Sequence, residues 1–274
     1  MKKLLFLLLG TFVCFSQSNR FVYDVVYKKD STSTNLTREN YNLDITKEDV
    51  AYYNRIYYIN DSVFAANHQY GGKGYRLTSF LIKKNDNDAY QNYEYIGDVN
   101  FYRISEIPKQ QWTITDSIKK TDQFTLQKAT AKFGGRSWTA WFCKEISFPY
   151  GPYKFNGLPG LIMEVYDTKR DYYFNVIKGE KIPDDYKRVS LGNALHNMIP
   201  TDQNKLDKLK MELFNSPFKY VLNGRLSLPE GKRLQLEDGT ILTKEELKPA
   251  EENERKKIKS FNNPIELDKV VKYP

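Results

Sequence analysis

The sequence predicts an α+β chain that is predominantly antiparallel β, with helices towards its C-terminal end. Three observations carry this expectation. There are 21 Tyr and 16 Phe among 274 residues, and such aromatic residues favour the half-buried surface of a strand. Short alternating or apolar runs recur up to about residue 180, separated by clusters of Gly, Asn, Asp and Ser that favour turns. From about residue 200 the character changes, and Leu206, Leu209 and Leu213 fall at helical spacing.

Residues 1–17 read as a secretory signal peptide. Lys2 and Lys3 form a positive start, and Leu4 to Phe15 form an apolar run too short to span a bilayer. Ser16, Gln17 and Ser18 place cleavage near Gln17. Val13 precedes Cys14 where a lipidated cysteine would want a small residue, so a soluble exported form is expected. Cleavage leaves Cys143 as the sole cysteine, and an intrachain disulfide is then impossible. Residues 18–274 are expected to form one domain, β-rich to about 180 and helix-containing from about 200. No later apolar segment is long enough to cross a membrane.

The strands follow in order. Residues 20–29 alternate well enough for an opening strand, and 30–35 read as a turn. Residues 41–45 and 55–60 are further strand candidates. Gly71, Gly72 and Gly74 mark 64–76 as a loop. Strands are then expected over 75–82, 91–96, 99–105 and 111–115. Residues 124–133 and 136–143 form a hairpin around Gly134–Gly135, because adjacent glycines accept the positive φ angles of such turns. In the second arm Trp138, Ala140 and Phe142 share one face, with Ser137, Thr139, Trp141 and Cys143 on the other. A tryptophan on each face predicts a strand covered on both sides. Leu161, Met163 and Val165 line one face of the next strand, and 172–182 form another.

Two helices close the chain. The first carries Leu206, Leu209 and Leu213, with Thr201 as its cap. The second opens with the capping-box pair Thr243 and Glu246, and Pro249 near its start moves its regular part further on.

The stretch from Gly151 to Asp167, GPYKFNGLPGLIMEVYD, packs three glycines and two prolines before an apolar run. Pro152 and Pro159 stiffen it, Gly157 and Gly160 permit reversal, and the run from Leu161 enters the core. It is not a phosphate loop, because Lys154 precedes the later glycines and the prolines remove backbone donors. A hard turn into a buried strand is the expected role. Tyr150, Tyr153, Lys154 and Phe155 are expected to be its exposed, recognition-competent part.

Catalytic chemistry has no recognisable pattern here. The two histidines, His68 and His196, lie far apart, and neither HExxH nor CxxC occurs. There is no GxSxG, Ser137 sits within a strand, and Cys143 reads as a small buried hydrophobe. No catalytic residue, metal or cofactor is therefore expected. The charge balance is 42 Lys+Arg against 34 Asp+Glu, a net +8. The densest basic run, 254–260, follows an acidic one, so no one-signed stripe marks a nucleic-acid site.

The run from Phe133 to Asp167 closely resembles the signature of the GLPGLI family, also called Porph_ging, whose members are exported proteins typical of Bacteroidota. The literal hexapeptide is Gly157, Leu158, Pro159, Gly160, Leu161 and Ile162. The other landmarks are Gly135–Arg136, Ala140–Trp141, Glu145–Ile146, Gly151 and Pro152 within GPYKF, and NNPIEL at 262–267. Leu126 stands where members often carry a cysteine, and Cys143 where a hydroxyl residue is common. The resemblance implies a periplasmic or surface location and no established activity. Members often look like companions of outer-membrane uptake systems. The strand order is similar to half-open β barrels of the cell envelope, so the sheet is expected to be curved or half-open. In that phylum Asp-Ser/Thr-aliphatic/Thr sequons are O-glycosylated, which makes Ser31, Ser62 and Ser117 candidates. All three sit in expected turns.

The functional expectation is an exported binding protein, taking a partner protein or a hydrophobic ligand on an aromatic-rich sheet. An exported hydrolase without a recognisable motif is the alternative, and a purely structural surface protein is a third reading.

Overall fold

The computed structural model describes residues 18–67, 79–97, 100–183, 185–196, 198–225, 227–228, 231–236 and 239–274. Its strands are β1 (Asn19–Tyr27), β2 (Thr37–Ile45), β3 (Asp49–Asn54), β4 (Ser79–Lys84), β5 (Tyr90–Ile96), β6 (Asn100–Glu106), β7 (Thr113–Lys120), β8 (Thr125–Phe133), β9 (Arg136–Cys143), β10 (Leu161–Asp167), β11 (Tyr172–Lys181) and β12 (Met198–Pro200). A short hairpin adds β13 (Leu234–Gln235) and β14 (Ile241–Leu242). The helices are α1 (Arg55–Asn67), α2 (Val189–Leu195), α3 (Gln203–Asn215), α4 (Lys219–Leu222) and α5 (Lys244–Ser260).

Strands β1 to β12 form one sheet in the order β12-β6-β5-β4-β3-β2-β1-β11-β10-β9-β8-β7. Two meanders meet at the β1–β11 pair, and only β12 runs parallel to its neighbour. This order dictates curvature. Strands β6 and β7 are ten places apart in the sheet, which would be about 48 Å if it lay flat. Residues 107–112 are all that connects them, and the step from Glu106 to Thr113 reaches at most about 25 Å. The sheet must curl until its far edges approach, and it is curved without closing, as expected.

The concave face holds the main core. Leu81 of β4 and Ala129 of β8, from opposite limbs of the sheet, share one cluster with Tyr23, Leu43, Trp138, Phe142 and Phe174. Alternation along β3 sends Val50 and Tyr52 inward, while Ala51 and Tyr53 face outward to meet Tyr57 of α1 and Leu191 of α2. Helix α3 sets Leu206, Leu209 and Leu213 against Ile96, Tyr102 and Ile104. Burial on both faces explains why the first limb reads as dense in aromatic and β-branched residues.

Several expectations change. Residues 55–60 begin α1 instead of forming a strand. The Asn54 side chain accepts a hydrogen bond from the Ile56 N–H at 3.0 Å, and helical spacing buries Tyr57 and Asp61 together. Tertiary cover overrides the strand preference of Ile and Tyr. Within the expected loop 64–76, residues 64–67 belong to α1; the remainder, like 75–78 of the next expected strand, lies outside the described residues. The cap of α3 is Asp202, whose side chain accepts from the Lys205 N–H, and not Thr201. Helix α5 starts at Lys244 with the Glu246 carboxylate accepting from the Thr243 N–H at 2.7 Å; Pro249 lies inside it. Strand β10 carries a bulge between Ile162 and Glu164. Met163 therefore drops out of register, Leu161 aligns with Cys143, and Val165 aligns with Ala140 on the opposite face.

On the outer face Arg20 is fully buried and sits opposite Asp44. Its guanidinium donates to both carboxylate oxygens at 2.6 and 2.8 Å, and the Tyr53 hydroxyl donates to the same carboxylate at 2.7 Å. The Tyr58 ring lies 4.0 Å above the guanidinium. Breaking such a pair strands a buried charge. Asp44→Ala should cost about 3–5 kcal/mol in urea denaturation, whereas Lys205→Ala, at an exposed pair, should cost less than about 1 kcal/mol.

Candidate functional site

The chain between β9 and β10, residues 144–160, does not simply turn. It folds back into the trough. The Ile162 N–H donates to the Tyr150 carbonyl at 3.0 Å, and the Gly157 N–H donates to Pro149 at 2.9 Å. These bonds close a small lobe with Tyr153 in a left-handed conformation at φ 55°. Gly160 has φ 146°, and a Cβ there would sit 2.1 Å from the Cys143 carbonyl oxygen. Gly157 also has positive φ, but open space surrounds it. The two glycines of the hexapeptide thus serve different ends: one permits a close approach, the other a turn angle.

This lobe is a plug. Phe155 is fully buried with its ring 4.7 Å from Trp138 and 5.8 Å from Phe133. Leu158 is equally buried. The link 107–112 is stitched to the plug. Gln110 donates to the Lys154 carbonyl at 3.0 Å, and the Trp112 indole donates to the Asn156 carbonyl at 2.8 Å.

Lys154 is 1% exposed. Its ammonium donates to Glu266 at 2.5 Å and also pairs with Glu106. Lys269 completes a square of charges by meeting Glu266 at 2.6 Å and pairing with Glu106. The Tyr153 hydroxyl donates to Glu266 as well. Burial alone would push the Glu266 carboxyl up, but Lys154, Lys269 and Tyr153 together outweigh it and hold it below its ordinary 4.5.

Glu266 belongs to a C-terminal strap, residues 262–269, which Arg136 grips. The Arg136 guanidinium donates to Asn263 Oδ1 at 2.6 Å, the Pro264 carbonyl at 2.7 Å, the Ile265 carbonyl at 3.0 Å and Asp167 at 2.9 Å. Asn263 in turn bonds back to the carbonyls of Lys28 and Lys29. The strap crosses the β8–β9 hairpin so closely that a Cβ on Gly134 would meet the Glu266 backbone at 2.9 Å. Here the separate landmarks of the sequence meet: the Gly135–Arg136 turn, the GPYKF plug and the NNPIEL strap form one clasp across the seam of the unclosed sheet.

This overturns one expectation. Lys154 and Phe155 do not form an exposed surface, because the plug points them inward, one to a pair of carboxylates and one to Trp138. Tyr150 and Tyr153 are half-buried. Gly151, Pro152, Leu158, Gly160, Leu161 and Ile162 are buried, while Gly135, Gly157 and Pro159 are exposed. Trp141 lies half-buried on the convex face with the Lys119 ammonium 5.7 Å from its ring, so that side of β9 is only partly covered. Ser31, Ser62 and Ser117 are all exposed; Ser31 lies in a turn, but Ser62 lies in α1 and Ser117 in the edge strand β7. His196 is exposed at the end of α2, and His68 lies outside the described residues. Cys143 is buried beside Glu145, and burial pushes its thiol up, away from a reactive thiolate. Among the described residues no group of His, Cys, Asp and Glu could hold a metal ion, and no helix is long and apolar enough to cross a membrane.

Beside the clasp the trough retains a cavity of about 200 Å³. Its walls include Tyr27, Tyr41, Tyr52 and Tyr172, with Tyr153 of the plug and Ile265 of the strap. Tyr41 stacks on Tyr52 at 5.0 Å and Tyr27 on Tyr172 at 5.5 Å. Glu39 accepts from the hydroxyls of both Tyr27 and Tyr41, which fixes the two rings. Sequence reasoning missed these tyrosines along with Glu106, Asp167 and Lys269. One signal was present: a lysine between aromatic residues in a proline-stiffened turn must find a carboxylate if it is buried.

A family described as "Protein of unknown function (Porph_ging)" matches residues 109–164, from the link through the plug into β10. It is the family the sequence resemblance names. Two solved structures are similar, both titled for PNGF-II, in P21 and C2 space groups. Their TM-scores are 0.53 and 0.51 at 13% and 12% identity, over 71% of this chain. The chain spans about a third of their length, 33% and 32%. The likeness shows the fold alone. Comparison with the curated proteins gives no match.

Two outcomes are expected. A carboxylate held ionised by its partners stabilises the fold above its unfolded pKa and loses that contribution as pH falls through the lower folded value. Wild-type stability should therefore drop below about pH 4.5, and Glu266→Gln should make that drop shallower in urea titrations at stepped pH; an unchanged slope would remove Glu266 from the clasp. Gly160→Ala should destabilise more than Gly157→Ala, by about 2 kcal/mol or more, in thermal unfolding of the two variants.

Proposed function

We propose that the protein is an exported, non-catalytic binding protein that holds a small hydrophobic group in the tyrosine-walled cavity. The observation that carries this is the pairing of plug and cavity: residues 144–160 fill one part of the trough, and the remaining space is lined by stacked, hydroxyl-anchored rings. Such rings offer apolar faces with polar rims and lose little freedom on binding. At about 200 Å³ the space lies below the usual range for drug-sized ligands, about 300–1,000 Å³. It suits a single apolar chain end or one ring, either free or presented by a partner such as an outer-membrane protein. The leader at residues 1–17 supports an envelope or secreted address, and Ser31, Ser62 and Ser117, all exposed, are open to O-glycosylation.

Ser79 lines the cavity from an exposed position at the start of β4, so a large side chain there would fill the space without disturbing the core. Native mass spectrometry of protein purified from envelope extract should show a co-purifying apolar ligand, and Ser79→Trp should lose it while melting within a few degrees of wild type. A ligand retained unchanged by Ser79→Trp, or a wild type that is always empty, would sink this reading.

A further inference from the structure

A second cavity, about 620 Å³, borders the clasp. Three distant segments wall it: 106–109 at the start of the link, 132–137 around the hairpin turn, and the strap at Glu266, Asp268 and Lys269. Its charges fall into two groups. Glu106 and Glu266 are satisfied by Lys154 and Lys269, and Arg136 is committed to Asp167 and the strap. Lys109 and Lys132 also line the cavity and have no hydrogen-bond or ion-pair partner among the described residues. Asp268, exposed on the strap side, is the one carboxylate in the lining likewise left over. Two free ammonium groups against one free carboxylate leave a single positive charge. Next to it stands apolar surface: Ile107, 61% exposed, with Pro108 and Phe133.

We propose that this cavity binds an amphipathic organic monoanion, its acid group held by Lys109 and Lys132 and its apolar body lying on Ile107, Pro108 and Phe133. The volume falls in the range of small-molecule sites. Uncompensated charge beside exposed apolar surface selects a ligand that carries both. A polyanion such as nucleic acid would need a one-signed stripe, and Asp268 opposes it. The clasp fixes all three walls before the ligand arrives, which lowers the ordering cost of binding.

Calorimetric titration with octanoate and with 1-octanol tests this. Octanoate should bind saturably with one site, and 1-octanol at least about tenfold more weakly. The double variant Lys109→Gln/Lys132→Gln should lose at least about tenfold in octanoate affinity while keeping the wild-type circular dichroism spectrum, since both side chains are exposed and unpaired. Ser79→Trp, which fills the tyrosine cavity instead, should bind octanoate as wild type does. The proposal is overturned by an absence of saturable octanoate binding, by equal binding of 1-octanol, by a double variant with wild-type affinity, or by loss of octanoate in Ser79→Trp. The last of these outcomes would place octanoate in the tyrosine cavity.

Discussion

The shortness of the link between β6 and β7 governs this molecule. Six residues must join strands that stand ten places apart, so the sheet has no flat alternative. Once curled it has a seam, because β6 and β7 do not pair. An open seam would expose backbone edges and the aromatic interior to water, and unpaired edges invite association with other chains. The link, the plug and the strap cover that opening. Each is irregular in conformation, and each spends its polar groups on the other two. The irregularity is the consequence of filling a gap whose shape no regular element fits.

The polar content of the seam follows from the same geometry. Two lysines, an arginine and two glutamates are placed where only side chains can reach across. Buried ion pairs of this kind contribute little net stability over a well-packed apolar alternative. Their value lies in direction: a bidentate or forked contact fixes which strand end faces which segment, and an apolar contact does not. Arg136, with four partners from two parts of the chain, sets the register of the strap in a way that Leu267 alone could not.

Much of the sheet was legible in the sequence because its signals are local. Gly134–Gly135 between two alternating runs announces a hairpin, and Thr243 with Glu246 announces a helix start. The alternation of Trp138, Ala140 and Phe142 points to the core face of β9. What failed depended on distant cover. The residues RIYYIN carry strand propensity, yet Tyr57 is buried under α2 only in a helix. Met163 keeps perfect alternation on paper, and the bulge between Ile162 and Glu164 displaces it. Lys154 read as exposed because its two carboxylates lie 48 and 112 residues away. The landmarks of the site were visible one by one; their convergence is a property of the curl.

The strap also has a consequence for the order of events as the chain is made. Its contacts join residues as far as 235 positions apart, among the longest-range in the structure. Long-range contacts form late, since the intervening chain must already be ordered before they repay its loss of freedom. Both meanders can assemble from neighbouring strands, but the seam stays open until residues 262–269 have emerged. A chain still under synthesis would carry an uncovered aromatic trough, the kind of transient surface that holding chaperones recognise. Of the link, the plug and the strap, the strap arrives last, and the seam is covered only then.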